Sequence, residues 1–207
     1  MKDSQGNLVL GRTRWRRFAA VAIPAGLLAG GLTAGVANGA VPVMLNVSGQ
    51  TFKVSADTLD GGKFSQYGGV VVKKDGTVIP VLASAIDDAT LKNLCQSVTV
   101  PGTPFSMVIR AGQGDKTVTA HGLYIGMDQL SGDAVFTNID IGSDASTVGT
   151  ATKGAPGDFA QQADHVTITN LKQRAYSTHA GTFTLSGLTL KLSLTGEECF
   201  AGSPVPS

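Results

Sequence analysis

The stretch DAVFTNIDIG, residues 133 to 142, alternates apolar and polar residues as a half-buried β-strand does, but it loses its phase halfway. Ala134 and Phe136 share one parity and Ile139 and Ile141 the other, because Thr137 and Asn138 together fill the step that one polar residue should occupy. The same slip recurs along the chain. VTAHGLYI (118 to 125) passes from Val118 and Ala120 to Leu123 and Ile125 across His121-Gly122. VTITNL (166 to 171) passes from Val166 and Ile168 to Leu171 across Thr169-Asn170. GTFTLSGLTLKLSL (181 to 194) passes from Phe183 and Leu185 to Leu188, Leu190, Leu192 and Leu194 across Ser186-Gly187.

Each slip falls on a polar residue followed by Gly or Asn, the residue types that tolerate a left-handed backbone. The simplest reading is a β-bulge or sharp corner that keeps one interior on both sides of the bend. Residues 118 to 142 and 166 to 190 repeat the order of Val-Thr strand, corner, connection, corner and apolar alternation, and so read as two related bent hairpins. The expected fold is all-β: a bent-strand β-sandwich or jelly-roll, or a short folded-over sheet array.

Composition agrees. The 207 residues include 27 glycines, only 6% aromatic and 15% charged residues, and a formal net charge of +1, a balance that offers no nucleic-acid surface. GGVVVKKDGTVIPVLAS (68 to 84) reads as a hairpin with a type I′ turn at Asp75-Gly76, and Pro80 in its returning strand predicts an edge position or a bulge. ASAIDDATLKNLCQS, which follows, carries Leu91, Leu94 and Cys95 at i, i+3, i+4 behind a capping Asp87, and predicts one short helix. Residues 142 to 164 show no periodicity and exceed ordinary loop length, which predicts a functional or mobile loop.

The N-terminus belongs to another category. Arg12, Arg14, Arg16 and Arg17 precede FAAVAIPAGLLAGGLTAGVA, a charge-free run from Phe18 to Ala37 long enough to span a bilayer as a helix. The expected organisation is a cytoplasmic basic segment (1–17), a transmembrane anchor or cleaved signal peptide (18–37), and a β domain (41–207) outside the membrane. Gly26 to Gly30 and Gly31 to Gly35 have the spacing of helix-dimerising glycines, so a homo-oligomer is one possible state. Export favours a disulfide between the two cysteines, Cys95 and Cys199.

No catalytic signature stands in the chain: there is no Gly-x-Ser-x-Gly, His-Glu-x-x-His, P-loop or Cys-x-x-Cys motif. His121, His165 and His179 lie at no metal-ligand spacing to either cysteine; His121 and His179 read as local hydrogen-bonding residues. Asp128, Asp133, Asp140 and Asp144 match no calcium loop and read as solvated carboxylates, and Gln161, Gln162, Asp164 and His165 as a polar strand entry. No metal and no cofactor are expected.

QYGGVVV (66 to 72), LKNLCQSV (91 to 98), LSGDAVFTNIDIG (130 to 142), FAQQAD (159 to 164), AGTFTLSGLTL (180 to 190) and EECF (197 to 200) resemble a family of streptomycete and related actinobacterial exported proteins of unknown function. Its members are often labelled cholesterol esterase, a name the absent hydrolase elbow does not support. The resemblance matches both cysteines and supplies no catalytic residues. GAVP at 39 to 42, where other members carry an Ala-x-Ala site, favours an uncleaved anchor.

The expected function is therefore that of an envelope-associated β domain binding an apolar, lipid-like molecule, with a structural or adhesive surface protein and a hydrolase as alternatives. Ile139, Ile141, Leu188, Leu190 and Leu192 are the expected ligand-lining residues, on the argument that the slips at Asn138 and Gly187 turn them toward one shared interior, with Leu194, Leu123 and Ile125 as neighbours.

Overall fold

A computed structural model describes residues 43–204, with side chains from Ser48 onward. The expected segments 1–17 and 18–37 lie outside the described residues. Among the described residues, ten strands and no helix follow in order: β1 (Val43–Val47), β2 (Phe52–Lys73), β3 (Val78–Lys92), β4 (Leu94–Thr99), β5 (Ser106–Ala111), β6 (Val118–Thr137), β7 (Asp140–Asp144), β8 (Phe159–His179), β9 (Thr182–Leu185) and β10 (Thr189–Ser193).

The four long strands close on themselves. β2 pairs antiparallel with β3 and β8, and β6 pairs with the same two strands on the far side, so β2, β3, β6 and β8 form a four-stranded barrel in place of a sandwich. β4, β5 and β10 extend from the start of β2 as a three-stranded wing, joined through Lys53↔Ser97 to Ser55↔Cys95. β7 lies on the outer edge of β8, β9 on β6, and β1 runs parallel to the end of β2.

Four strands enclose little space, and the residues inside are chosen accordingly. Leu59, Phe64, Ile86, Leu91, Leu123, Ile125, Met127, Val166, Ile168 and Leu171 are buried among Ala56, Ala89, Ala120, Ala163 and Ala175. At Gly61 a Cβ would stand 2.7 Å from Ile86 Cγ2, so even a methyl group is excluded there. The low aromatic content matches a narrow barrel that fills itself. An apolar crevice between Leu91, Leu94, Leu171 and Phe183 measures about 20 Å³, room for hardly more than a water.

All four predicted corners adopt the left-handed backbone: φ is +60° at Gly122, +52° at Asn138, +55° at Asn170 and +69° at Gly187. At Gly122 and Asn170 the strand continues within the barrel wall with a neighbour on each side, and the slip keeps Ala120 and Leu123, or Ile168 and Leu171, in the same interior. At Asn138 and Gly187 the expectation fails. Those corners lead the chain out of the wall into β7 and β10, each paired on one side only, and the apolar residues beyond them face solvent.

The same geometry explains the missing helix. Asn93, at φ +52°, separates β3 from β4, and Leu91 and Leu94 on either side of it are both buried. A left-handed residue within a strand brings positions i and i+3 to one face, which is also the spacing of a helix; the Leu91/Leu94 pattern is a fifth phase slip. Three of the corner asparagines are further held by a neighbouring carboxylate: Asn93 Nδ2 donates to Asp57 at 3.2 Å, Asn138 to Asp164 at 2.8 Å and Asn170 to Asp133 at 2.9 Å. Asn170→Ala is expected to lose about 1–2 kcal/mol of left-handed tolerance and about 0.5–1.5 kcal/mol of hydrogen bond, whereas Asn170→Gly loses only the second. Urea unfolding of the two variants measures the gap; equal losses would contradict a backbone role for this corner.

The β2–β3 turn contains three residues, 74 to 76, with Gly76 alone at positive φ, so it is not the two-residue type I′ turn expected. Pro80 sits where β3 pairs with β2 only, β6 joining from Leu82 onward, so the edge position expected for it is what the structure shows. Residues 145 to 158 pack tightly as a strap on the outside of the barrel. Ala145 and Val148 are fully buried against Tyr67, Val71 and Tyr124, Gly154 lies on the Tyr67 ring, and Ser65 and Thr150 share a hydrogen bond. Burial raises both phenols, Tyr124 to about 12, so both stay neutral.

Candidate functional site: the leucine face of the wing

The wing has two unlike faces, because cross-strand partners in an antiparallel sheet share a side. Leu190 pairs with Ile109 and Leu192 with Met107, whose next neighbours are Gln96 and Val98. On the other side Lys191 pairs with Val108 and then Ser97. This second side is covered by the C-terminal tail. Cys199 is bonded to Cys95 with Cα atoms 5.7 Å apart, closing a separation of 104 residues. Around that bond, Ser106 Oγ donates to the Glu197 carbonyl, the Cys199 N–H donates to Ser97 Oγ at 3.0 Å, and Lys53 Nζ reaches Glu198 at 2.6 Å and the Phe200 carbonyl at 3.1 Å. Lys191 and Arg110 close on Glu197 at 2.8 and 3.3 Å and hold its carboxyl below the usual range. Val108 is buried as a result.

Among the described residues the first side has no such cover. Leu188, Leu190, Leu192 and Leu194 are 52, 63, 59 and 64% exposed, so they are not core residues. Met107, Ile109 and Val98 beside them are half-buried. The face is largely apolar and open; it reaches Leu94 beside Ala111 directly, and Val54 across Gln96. A row of large aliphatics left in water on one strand is costly at roughly 25 cal/mol per Å², and such patches mark surfaces that meet something apolar.

Of the five ligand-lining residues expected from sequence, the structure brings three together. Ile139 (37% exposed) just precedes β7 and Ile141 (68%) pairs with Gln161 of β8 near its start, on a different part of the sheet from β10. Leu123 and Ile125 are barrel core. Sequence reasoning did not find Met107, Ile109 and Val98, because their membership depends on which strand lies beside β10.

The polar clusters engage each other. His121 Nδ1 meets Asp88 at 2.5 Å and His165 Nε2 meets Asp60 at 3.1 Å, across a shallow depression of about 330 Å³ floored by Gly62 and edged by Thr90 and Thr119. The His165 contact holds the Asp60 carboxyl below its ordinary value. No serine lines this depression. Asp128 takes both Arg174 nitrogens at 2.8 to 3.2 Å, Asp133 accepts from Asn170, and Asp144 from Ser146 and Gly157, so these carboxylates serve separate local partners. Gln161, Gln162, Asp164 and His165 lie within β8, past its start, where Gln161 donates to Gln66 and Gln162 accepts from Gly149. Among the described residues no group of three or more His, Cys, Asp or Glu side chains is placed to hold a metal ion, and no helix is long and apolar enough to cross a membrane.

Fold and site together define an all-β protein with a closed four-stranded barrel and a disulfide-backed wing that is open on its apolar side. The chain belongs to a family of unknown function, DUF6230, whose model matches residues 48–200. No curated protein and no solved structure matches it.

Proposed function

We propose that this chain is an envelope-associated domain, held outside a membrane by residues 18 to 37, that binds an apolar, lipid-like molecule on the leucine face of its wing. The observation that carries the proposal is the row Leu188, Leu190, Leu192 and Leu194, exposed on one side of a sheet whose other side is sealed by the tail. A filled barrel argues against a carrier that encloses its ligand, and favours contact with lipid along an open surface. The lack of a serine beside either histidine–aspartate pair weighs against the hydrolase suggested by the esterase label.

The test is photocrosslinking in the full chain, in its own membrane, with a diazirine side chain placed singly at Leu190, at Lys191 or at Val135. Val135 is as exposed as Leu190 but lies on β6. Lipid adducts are expected from position 190 and from neither of the others. Equal labelling at 135, or none at 190, would refute the assignment.

A further inference from the structure

The leucine face of the wing and the inside of the barrel are one surface. Leu190 pairs with Ile109, Ile109 with Gln96, Gln96 with Val54 and Val54 with Gln173 of β8, and partners in register share a side. Val54 belongs to the barrel core with Leu171 and Ala175, so the row leads from the open face into the barrel mouth. Two glutamines interrupt it. Gln96 is half-buried and Gln173 is 3% exposed, yet among the described residues neither amide has a hydrogen-bond partner. Both line the crevice of about 20 Å³ at the mouth, together with Thr178, whose hydroxyl is unpaired among the same residues. A buried amide without a partner is destabilising, and an apolar side chain there would serve the fold better. Two such amides on either side of Val54, opening on one crevice, point to a polar group supplied from outside the chain.

We infer, building on the lipid reading above, that the barrel mouth holds the hydroxyl group of an uncharged long-chain alcohol whose hydrocarbon chain lies along the leucine face. Three features select this class. The crevice has room for about one oxygen-sized group, which excludes a phosphate or sugar head. Among the described residues no charged side chain lines it, so a carboxylate would be buried there without a counter-charge. A primary amide both donates and accepts hydrogen bonds; a hydroxyl answers both, whereas an ester or ketone carbonyl only accepts and leaves the amide oxygen unpaired. From Gln96 to Leu190 is two strand spacings, about 10 Å, so a chain held at the mouth passes over Ile109 and reaches the exposed leucines.

The test uses the full, membrane-held chain with the diazirine side chain at Leu190, in membranes loaded with equal amounts of hexadecanol, palmitate and hexadecane. Intact mass then identifies the molecule captured. One net hydrogen bond corresponds to roughly tenfold in affinity, so hexadecanol adducts should exceed those of hexadecane and of palmitate by about that factor. Gln96→Met together with Gln173→Met keeps the side-chain lengths and removes both amides. The double variant should bring hexadecanol and hexadecane close to parity while adducts still form. It should also raise the urea midpoint of the lipid-free chain, because an unpaired buried amide has gone. Equal capture of all three molecules by the parent chain, palmitate in excess, an alcohol preference that survives in the double variant, or a lowered midpoint would overturn the inference and leave the lipid reading standing. Absence of any adduct at Leu190 would refute the lipid reading itself, and this inference with it.

Discussion

Replacing Cys95 and Cys199 together by alanine is expected to cost about 4–5 kcal/mol, the chain-entropy value for a loop of roughly 100 residues. For a domain of this size that is a large part of the total stability. The bond ties the tail to the middle strand region of the chain across 104 positions, and the tail is what covers Val108 and the inner side of the wing. Without it, Lys53–Glu198 and the Lys191 and Arg110 contacts to Glu197 remain, but these ion pairs are partly or largely exposed and are each worth about 0–1 kcal/mol. They cannot replace the covalent link. The wing should therefore loosen before the barrel does. Urea denaturation of the wild-type and doubly substituted chains gives the total loss, and hydrogen exchange shows where it falls: β4, β5 and β10 should lose protection while β2, β3, β6 and β8 keep theirs. A loss below about 1 kcal/mol would mean that the tail's packing is maintained without the bond.

Leu171→Ala is expected to cost about 2–5 kcal/mol, and Leu190→Asp less than about 0.5 kcal/mol. The two leucines are the same residue type in similar strand patterns. Leu171 is 1% exposed and packed inside a barrel too narrow to collapse around a void, so its removal leaves a cavity lined by neighbours fixed on four paired strands. Leu190 is 63% exposed and stands on an edge strand, where a carboxylate stays hydrated. The asymmetry separates an apolar surface from a core. If Leu190→Asp unfolds the domain, the leucine row is core and the proposed binding face does not exist. Thermal or urea unfolding of both variants decides the point.

Much of the local structure was legible in the chain. The phase slips at His121-Gly122, Thr137-Asn138, Thr169-Asn170 and Ser186-Gly187 marked four left-handed corners, since only a few residue types accept that backbone and the apolar parity records the change of side. The all-β class and the edge position of Pro80 followed from equally local constraints. The cysteine pairing was expected from the count of two and from the export expected of the chain, and the bond is formed between Cys95 and Cys199.

What the chain alone could not decide was which side of each bent strand meets other strands. Parity states that Leu188, Leu190 and Leu192 share a face with each other, and it states the same for Leu171 and Gln173, but it does not say that one face closes into a barrel and the other opens to solvent. That depends on pairings between residues more than a hundred positions apart, such as Thr58 with Thr169, and on β10 finding β5. The false helix expected within residues 83 to 97 has the same origin. A spacing of three is produced both by a helical turn and by one left-handed residue in a strand, and only the partners of β3 on either side, β2 and β6, distinguish them. Local chemistry thus determined where the chain bends; long-range hydrogen bonding, through closure of the four-stranded barrel, decided what the bends enclose and which leucines were left outside.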